Sequence, residues 1–492
     1  MMGLSYFIPE LISIGLLVYF IVEALIDGNK DRPSLFIELA VGTAILGMTL
    51  FFCAKKMGLG FNGFISADPL AYFFKIFFTF VFGVITFMCR DFFRDDLSSG
   101  ASPQPAKPLG KQQEFALILW CALIGLYFLA SANHVLVLFI SLEILTMALY
   151  VLTTHGRHAL ETNSRRSASI EAGLKYLTLG SLASGFMIFG IALLYLKTGA
   201  LSFPEIAAAK QILLYSRLGN LALLFIFAGL GFKIASFPFQ LWIPDVYQGS
   251  PSPATALLSV ASKSAGFLIL IRFFGITVGP LDAHWKTAFA ALALFTMFYG
   301  NLGALAQTSL KRLLGYSSIG HAGFLLLAMA SGTAFSLAAI LYYLLGYAVS
   351  SLAVFYVIVF IEKATGSDSS KNLDGLSQTS PFLSSVLFVA LLSLAGVPPL
   401  AGFMGKFWIL FSTLRFGLGW PVLVACTMVV VGIYYYLSLA LKMFFREPSH
   451  KVEFLIPLSS KVVLIILTLL SLGIGIFQAP LFRIAFTAIT KS

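Results

Sequence analysis

Glu143, Lys233, Lys263 and Lys406 each stand inside a stretch apolar enough to cross a bilayer. An ionisable group at the bilayer centre costs roughly 2.5–3.5 kcal/mol even on the lenient insertion scale, so such groups mark ion pathways, proton relays or ligand counter-ions. Glu143 lies near the middle of a span expected over 135–153. A lone carboxylate there would neutralise itself, whereas a nearby ammonium keeps it charged. Lys233 is the candidate partner, and Lys175 and Lys263 add two more lysines in neighbouring spans. Lysine suits proton transfer because burial brings its ammonium towards neutrality, while arginine stays charged. His321 titrates near neutral pH without help and can link this group to Lys406. A proton gained at one site changes its neighbours by Coulomb coupling.

Nothing else in the chain offers a source of energy. No GxGxxG follows a strand and no Walker motif occurs. Cys53, Cys89, Cys121 and Cys426 lie far apart, with no CxxC or Cys/His cluster for iron–sulfur or zinc. No cofactor or metal is expected in this chain, so the driving force must come from an ion gradient or another subunit.

The elements that hold the ionisable row carry two breaks. In GLGFKIASFPFQLWIPDVYQGSPSPAT, Lys233 precedes Pro238, Pro244, Pro251 and Pro253; in LLSLAGVPPLAGFMGKFWILF, Pro398 and Pro399 precede Lys406. Proline removes a backbone donor and clashes with the preceding turn. At membrane depth such a break is tolerated only where it is buried in protein or lines a wet cavity. Glu143 lies 90 residues before Lys233, and His321 lies 85 before Lys406. A titratable group followed two spans later by a broken helix with a lysine thus occurs twice, as in transporters built from repeats.

The chain as a whole is 59% hydrophobic and 11% charged over 492 residues, against about 25% charged for a soluble protein. Runs of about 20 apolar residues predict fourteen spans: 8–26, 35–54, 70–89, 114–130, 135–153, 170–196, 219–237, 254–276, 287–306, 315–331, 335–361, 383–414, 420–445 and 461–485. The fold class is therefore an all-α polytopic membrane protein. The net charge of +11 comes from Lys and Arg scattered in short loops, which the positive-inside bias explains without nucleic acid. Loops after odd-numbered spans hold more of them, placing both termini outside the cytoplasm. Residues 98–113 read as a flexible Pro/Ser-rich connector, and the C-terminus as free of a long amphipathic extension. Among the lesser candidates, Lys175 lies close enough to its span end to reach the surface, and Lys75 reads as an interface lysine. Asp68 before Pro69 reads as a helix cap, His155 and His158 as loop residues, and Tyr434–Tyr436 as lipid-facing or packing residues.

Three strings, FKIASFPFQLWIPDVYQGSPSPATALLSVASK, LKRLLGYSSIGHAGFLLLAM and LAGVPPLAGFMGKFWIL, resemble the antiporter-like membrane subunits of respiratory complex I. PDVYQGSPSP is most similar to the subunit N (subunit 2) type, and the resemblance covers essentially the whole chain. It implies two inverted five-helix repeats, each with a broken helix: 114–278 and 279–446, flanked by a three-helix segment with its loop (1–113) and a last span (447–492). It implies that Glu143 and Lys233 form a charge pair, that Lys175 and Lys263 are its companions, and that His321 connects them to Lys406. The implied function is proton translocation in a bacterial inner membrane, driven by quinone reduction in partner subunits. Those partners would hold the NADH, FMN, iron–sulfur clusters and quinone, with subunits of the M and K types as neighbours beside membrane lipids. A cation/proton antiporter subunit of the multi-subunit sodium–proton type is the alternative, against which PDVYQGSPSP argues.

Overall fold

The computed structural model describes residues 7–26, 35–53, 57–94, 110–155, 163–279, 282–448 and 453–492. Most of the 98–113 connector and His158 lie outside the described residues. Helices dominate because backbone polar groups in a membrane must be satisfied within the segment itself. In chain order they are α1 (Ile8–Ile26), α2 (Leu35–Cys53), α3 (Pro69–Phe93), α4 (Gly110–Ser131), α5 (Val135–Thr154), α6 (Asn163–Thr198) and α7 (Arg217–Ile234). Next come α8 (Ile243–Gly249) and α9 (Ser252–Thr277), followed by α10 (Ala283–Leu305), α11 (Leu310–Ser331) and α12 (Ala334–Thr365). The chain closes with α13 (Pro381–Ala395), α14 (Ala401–Arg415), α15 (Gly419–Phe445), α16 (Leu458–Ile476) and α17 (Gln478–Thr490).

Among the described residues, twelve helices are long and apolar enough to cross a membrane. The two remaining expected spans are α1 and the interrupted pair α13–α14, so the fourteen predicted segments are all helical. The predicted 461–485 segment divides at Phe477, because Pro480 has no N–H to donate to the Ile476 carbonyl. A short antiparallel hairpin, β1 (Gly58–Gly60) with β2 (Ile65–Ala67), stands where only a loop was expected.

Polar residues at helix starts set the ends. Asp68 accepts the Ala71 N–H at 2.8 Å, and Ser216, Asp282, Ser309 and Thr333 cap later helices in the same way. The helices then sort into a shell and a centre. Nearly all of α9, α11 and α12 is enclosed by other helices, while α2, α6, α15 and α16 expose broad apolar faces. α10 packs on α11 much as α4 packs on α5, and α12 carries both α13 and α14.

Lys75 departs from its expected place at an interface. Its side chain is 0% exposed, and its ammonium lies 2.5 Å from the carboxylate of Glu10, itself 2% exposed. Ser131 donates to the same Glu10 oxygen at 2.8 Å. This cluster ties α1, α3 and α4 together near the hairpin. At the same end, Arg272 of α9 forks onto Asp68 with contacts of 2.7 and 3.0 Å and donates to the Ala130 carbonyl. Burial would raise the Asp68 carboxyl, but the Arg272 guanidinium and the capping N–H outweigh it and hold it below its ordinary value.

Removing one partner of a buried pair strands a charge at a cost of about 3–5 kcal/mol. Lys75→Met should therefore lower the thermal midpoint of the purified protein sharply, and adding Glu10→Leu should restore most of the loss. Additive losses in that double-mutant cycle would contradict the pairing. For Asp68, the depressed folded-state value means its stabilisation is present above the unfolded carboxylate value, about 3.9, and fades as pH falls through the folded one. The midpoint gap between the wild type and Asp68→Asn should shrink on acidification; a gap that widens would reject this.

Candidate functional site

Both helix breaks are built around the same problem. The last carbonyls of an α-helix have no intrahelical donor, and they form the negative end of the helix dipole. α7 ends with Ala235 in the left-handed region (φ 64°), and α13 ends with Gly396 in that region (φ 89°). Each is followed by a cis X–Pro bond, Phe237–Pro238 and Pro398–Pro399. Lys233 belongs to the last turn of α7. Lys406 comes from α14 and reaches back, donating to the carbonyls of Leu394 at 2.9 Å and Ala395 at 2.8 Å. The second break therefore sets an ammonium against the negative end of a half-helix, while at the first the lysine stands in the final turn and reaches Tyr176.

The loops between half-helices are held from outside. At the first break, Thr296 accepts the Phe237 N–H at 2.9 Å, and Trp242 Nε1 donates to the Phe232 carbonyl at 3.1 Å. At the second, Ser393 accepts the Gly402 N–H and the Ser350 hydroxyl. A Cβ on Gly402 would lie 1.8 Å from the Ser393 carbonyl, so only glycine lets α14 turn so close to α13.

Glu143 sits midway along α5, half-buried, and accepts from Ser184 of α6 at 2.6 Å. It does not pair directly with Lys233, because aromatic side chains come between them. The Lys233 ammonium points to the Tyr176 hydroxyl at 3.4 Å, and Tyr176 meets Tyr150 edge-on. Lys263 is enclosed at the end of a π-helical stretch, Leu258–Ser262, a feature common at functional sites. Its ammonium donates to both the carbonyl and the hydroxyl of Ser318, the latter at 2.5 Å. The Tyr247 hydroxyl lies 3.3 Å from that Ser318 hydroxyl, and the ring of Tyr347 lies 5.5 Å from the Lys263 ammonium. His321 follows one turn later on α11. Its Nδ1 meets the Tyr343 hydroxyl and its Nε2 lies 3.2 Å from the Tyr436 hydroxyl, which also meets Ser317. One further turn along, Phe324 lies against the Lys406 ammonium at 5.4 Å.

α11 thus carries Ser318, His321 and Phe324 in sequence, linking Lys263 to Lys406. The six expected residues do not all join this row. Lys175 is 44% exposed and pairs with Glu171 at 2.7 Å and Asp245 at 3.0 Å, away from Lys233. α6 begins at Asn163 rather than near 170, because no breaker interrupts its polar first turns, so Lys175 meets the PDVYQG helix α8. Asp245 also takes Arg312 at 2.6 Å, so one carboxylate pins α8 to both α6 and α11. Sequence reasoning passed over Asp245, Tyr150, Tyr176, Tyr247, Tyr343 and Tyr347. Of Tyr434–Tyr436, expected as lipid-facing or packing residues, Tyr434 is exposed and Tyr435 and Tyr436 are buried. Three adjacent tyrosines on a helix point in different directions, and only packing decides which face turns inward. The hydroxyls of Tyr150 and Ser236 and the side-chain carbonyl of Gln240 are buried around the first break with no partner among the described residues. Such groups are satisfied by ordered water.

Comparison with known proteins places this geometry. Residues 132–433, which include all six ionisable candidates, match the family model described as NADH:quinone oxidoreductase/Mrp antiporter, TM. The chain is 42% identical to NADH-quinone oxidoreductase subunit N 2 of Acidobacterium capsulatum, over 74% of each sequence. It is 37% identical to NAD(P)H-quinone oxidoreductase subunit 2 of Trichodesmium erythraeum, over 99% of this chain and 92% of the relative. Among solved structures, a chain of respiratory complex I from Thermus thermophilus superposes with a TM-score of 0.79 at 30% identity, covering 97% and 99% of the two chains. A chain of the Mrp complex from Dietzia gives 0.82 at 19% identity, covering 99% and 97%, and shares the fold. The chain belongs to the NADH:quinone oxidoreductase/Mrp antiporter membrane-subunit family, and within it to NADH-quinone oxidoreductase subunit N.

Proposed function

We propose that this chain translocates protons in the membrane arm of an NADH-quinone oxidoreductase, through Glu143, Lys233, Lys263, His321 and Lys406. The observation that carries this reading is the enclosed line from Lys263 through Ser318 and His321 to Lys406, in which no lysine is locked to a carboxylate within 4 Å among the described residues. NADH, FMN, iron–sulfur clusters and quinone belong to partner subunits in this reading, and this chain converts their signal into proton movement.

The coupling begins at Glu143. Two charges a few ångströms apart in a poorly screened interior interact by several kcal/mol at an effective dielectric of about 20. Glu143 turned towards Lys233 favours the ammonium there, whereas Glu143 drawn towards a neighbour lets Lys233 release its proton inward. Glu143 lies beside the exposed α5–α6 face, which suits contact with sibling subunits of the M and K types. Water held by Tyr150, Ser236 and Gln240 would carry the proton past the first break. Lys175 acts at one remove, holding α8 through Asp245.

The matching left-handed ends of α7 and α13, each close to a buried lysine, support two inverted repeats over 114–278 and 279–446, with 1–113 and 447–492 outside them. The loop charges support a bacterial inner membrane location with both termini on the periplasmic side. The antiporter alternative has the shared fold behind it, at 19% identity.

Lys406→Ala in the assembled enzyme should abolish proton release in sealed vesicles while leaving a measurable rate of quinone reduction. Normal pumping at normal turnover would remove Lys406 from the path. A second comparison separates the row from its support: Lys263→Gln should depress pumping at least as strongly, and Lys175→Gln much less, since Arg312 still holds Asp245. Equal losses in the two variants would place Lys175 in the path itself.

A further inference from the structure

Away from the ionisable row, α2, α3 and α16 enclose a lateral groove of about 400 Å³ that opens on the apolar surface. That volume falls within the range of roughly 300–1,000 Å³ typical of small-molecule sites. Its walls are almost wholly apolar, with Leu50, Phe80, Phe87 and Leu467 among them. The depth comes from two glycines. A Cβ on Gly47 or Gly83 would meet nothing closer than 3.8 Å, so each position leaves free space where a side chain would fit. Along α3 the groove runs from Ile76 to Phe87, about 16 Å at 1.5 Å per residue, which suits an extended acyl chain.

One end of the groove is polar and basic. Arg90 lies one turn beyond Phe87, its guanidinium 5.6 Å from the centre of that ring. It donates to Asp91 at 3.1 Å and to Ser459 at 2.5 Å. Ser459 opens the helix α16 whose Val463, Ile466 and Leu467 line the groove, and exposed Lys461 stands beside it. Lys363 reaches the same end, donating to the Asp91 carbonyl at 2.5 Å and to the Arg94 carbonyl. The Asp91 carboxylate is fully buried beneath, taken by Tyr356 at 2.6 Å and by Ser460. Arg90 and the exposed Lys461 thus stand at this end of the groove, above the buried Asp91 carboxylate.

We propose that this groove is a specific site for one anionic glycerophospholipid, with an acyl chain against Gly47 and Gly83 and the phosphate at Arg90, Ser459 and Lys461. The apolar trough selects a chain, and the basic rim selects the charge. A lipid held there braces α2 against α3 and α16 on the side away from the proton row.

The test is lipid retention by the assembled complex, purified from membranes in mild detergent and read by native mass spectrometry. Rebinding is then followed from phosphatidylcholine vesicles with and without phosphatidylglycerol. Gly83→Leu should lose the bound lipid whatever its headgroup. Lys461→Gln should lower phosphatidylglycerol retention roughly fivefold, as expected for one basic side chain near a membrane surface, and leave phosphatidylcholine unchanged. Unchanged retention in both variants overturns the proposal, as does cross-linking of Gly83→Cys to another polypeptide, which would make the groove a protein interface. If Gly83→Leu does not assemble, Lys461→Gln decides: an unaltered ratio of the two lipids overturns the site.

Discussion

The structure depends on a helix end placed where water cannot reach it freely. The last carbonyls of α7 and α13 lack helical donors, and in a membrane interior an unsatisfied carbonyl costs several kcal/mol. An ammonium answers both the missing donor and the negative pole of the half-helix. Lys406 does this by direct hydrogen bonds to Leu394 and Ala395; at the end of α7 the Phe232 carbonyl takes Trp242 Nε1, and the Lys233 ammonium turns to Tyr176. Once the breaks are fixed in this way, the rest follows. Thr296, Trp242, Ser393 and Ser350 hold the connecting loops, and α11 runs between them with the linking side chains.

The enclosed lysines fall into two kinds. Lys75 is locked at 2.5 Å to Glu10, and losing its proton would strand a carboxylate in an apolar setting. Lys233, Lys263 and Lys406 are held by hydroxyls, carbonyls and aromatic faces. Those partners remain satisfied, or nearly so, when the ammonium becomes an amine. The first kind fastens helices together, and the second can change charge without breaking the fold. The tyrosines around His321 extend the same logic, since a hydroxyl can donate or accept and adapts to either state of its neighbour.

Chains of respiratory complex I and of the Mrp complex share this fold, so the helical frame alone does not select the function. In the proton-translocation reading the site itself narrows it: Glu143 accepts from Ser184 beside the exposed α5–α6 face, while the path from Lys263 to Lys406 runs inside. The N-terminal helices α1–α3 stand apart from this path, sealed by their own ion pair and backed by the groove towards α16.

Much of this was legible in the chain. Apolar runs of the right length fixed the fourteen helical segments, because a bilayer dictates how many apolar residues are needed. Prolines and glycines marked both breaks, and charges too costly to keep idly marked Glu143, Lys233, Lys263 and Lys406. Asp68 was recognisable as a cap from its place before Pro69. Other features depended on which residues distant helices bring together. Lys75 is an ordinary span-edge lysine until α1 places Glu10 beside it, and Lys175 is an intramembrane lysine until α8 offers Asp245. Tyr436 differs from Tyr434 only in the face it turns to α11. Composition and spacing set where charge and chain breaks occur, because those costs are local; tertiary packing decided which charges are paired with a carboxylate and which are held only by hydroxyls, carbonyls and aromatic faces.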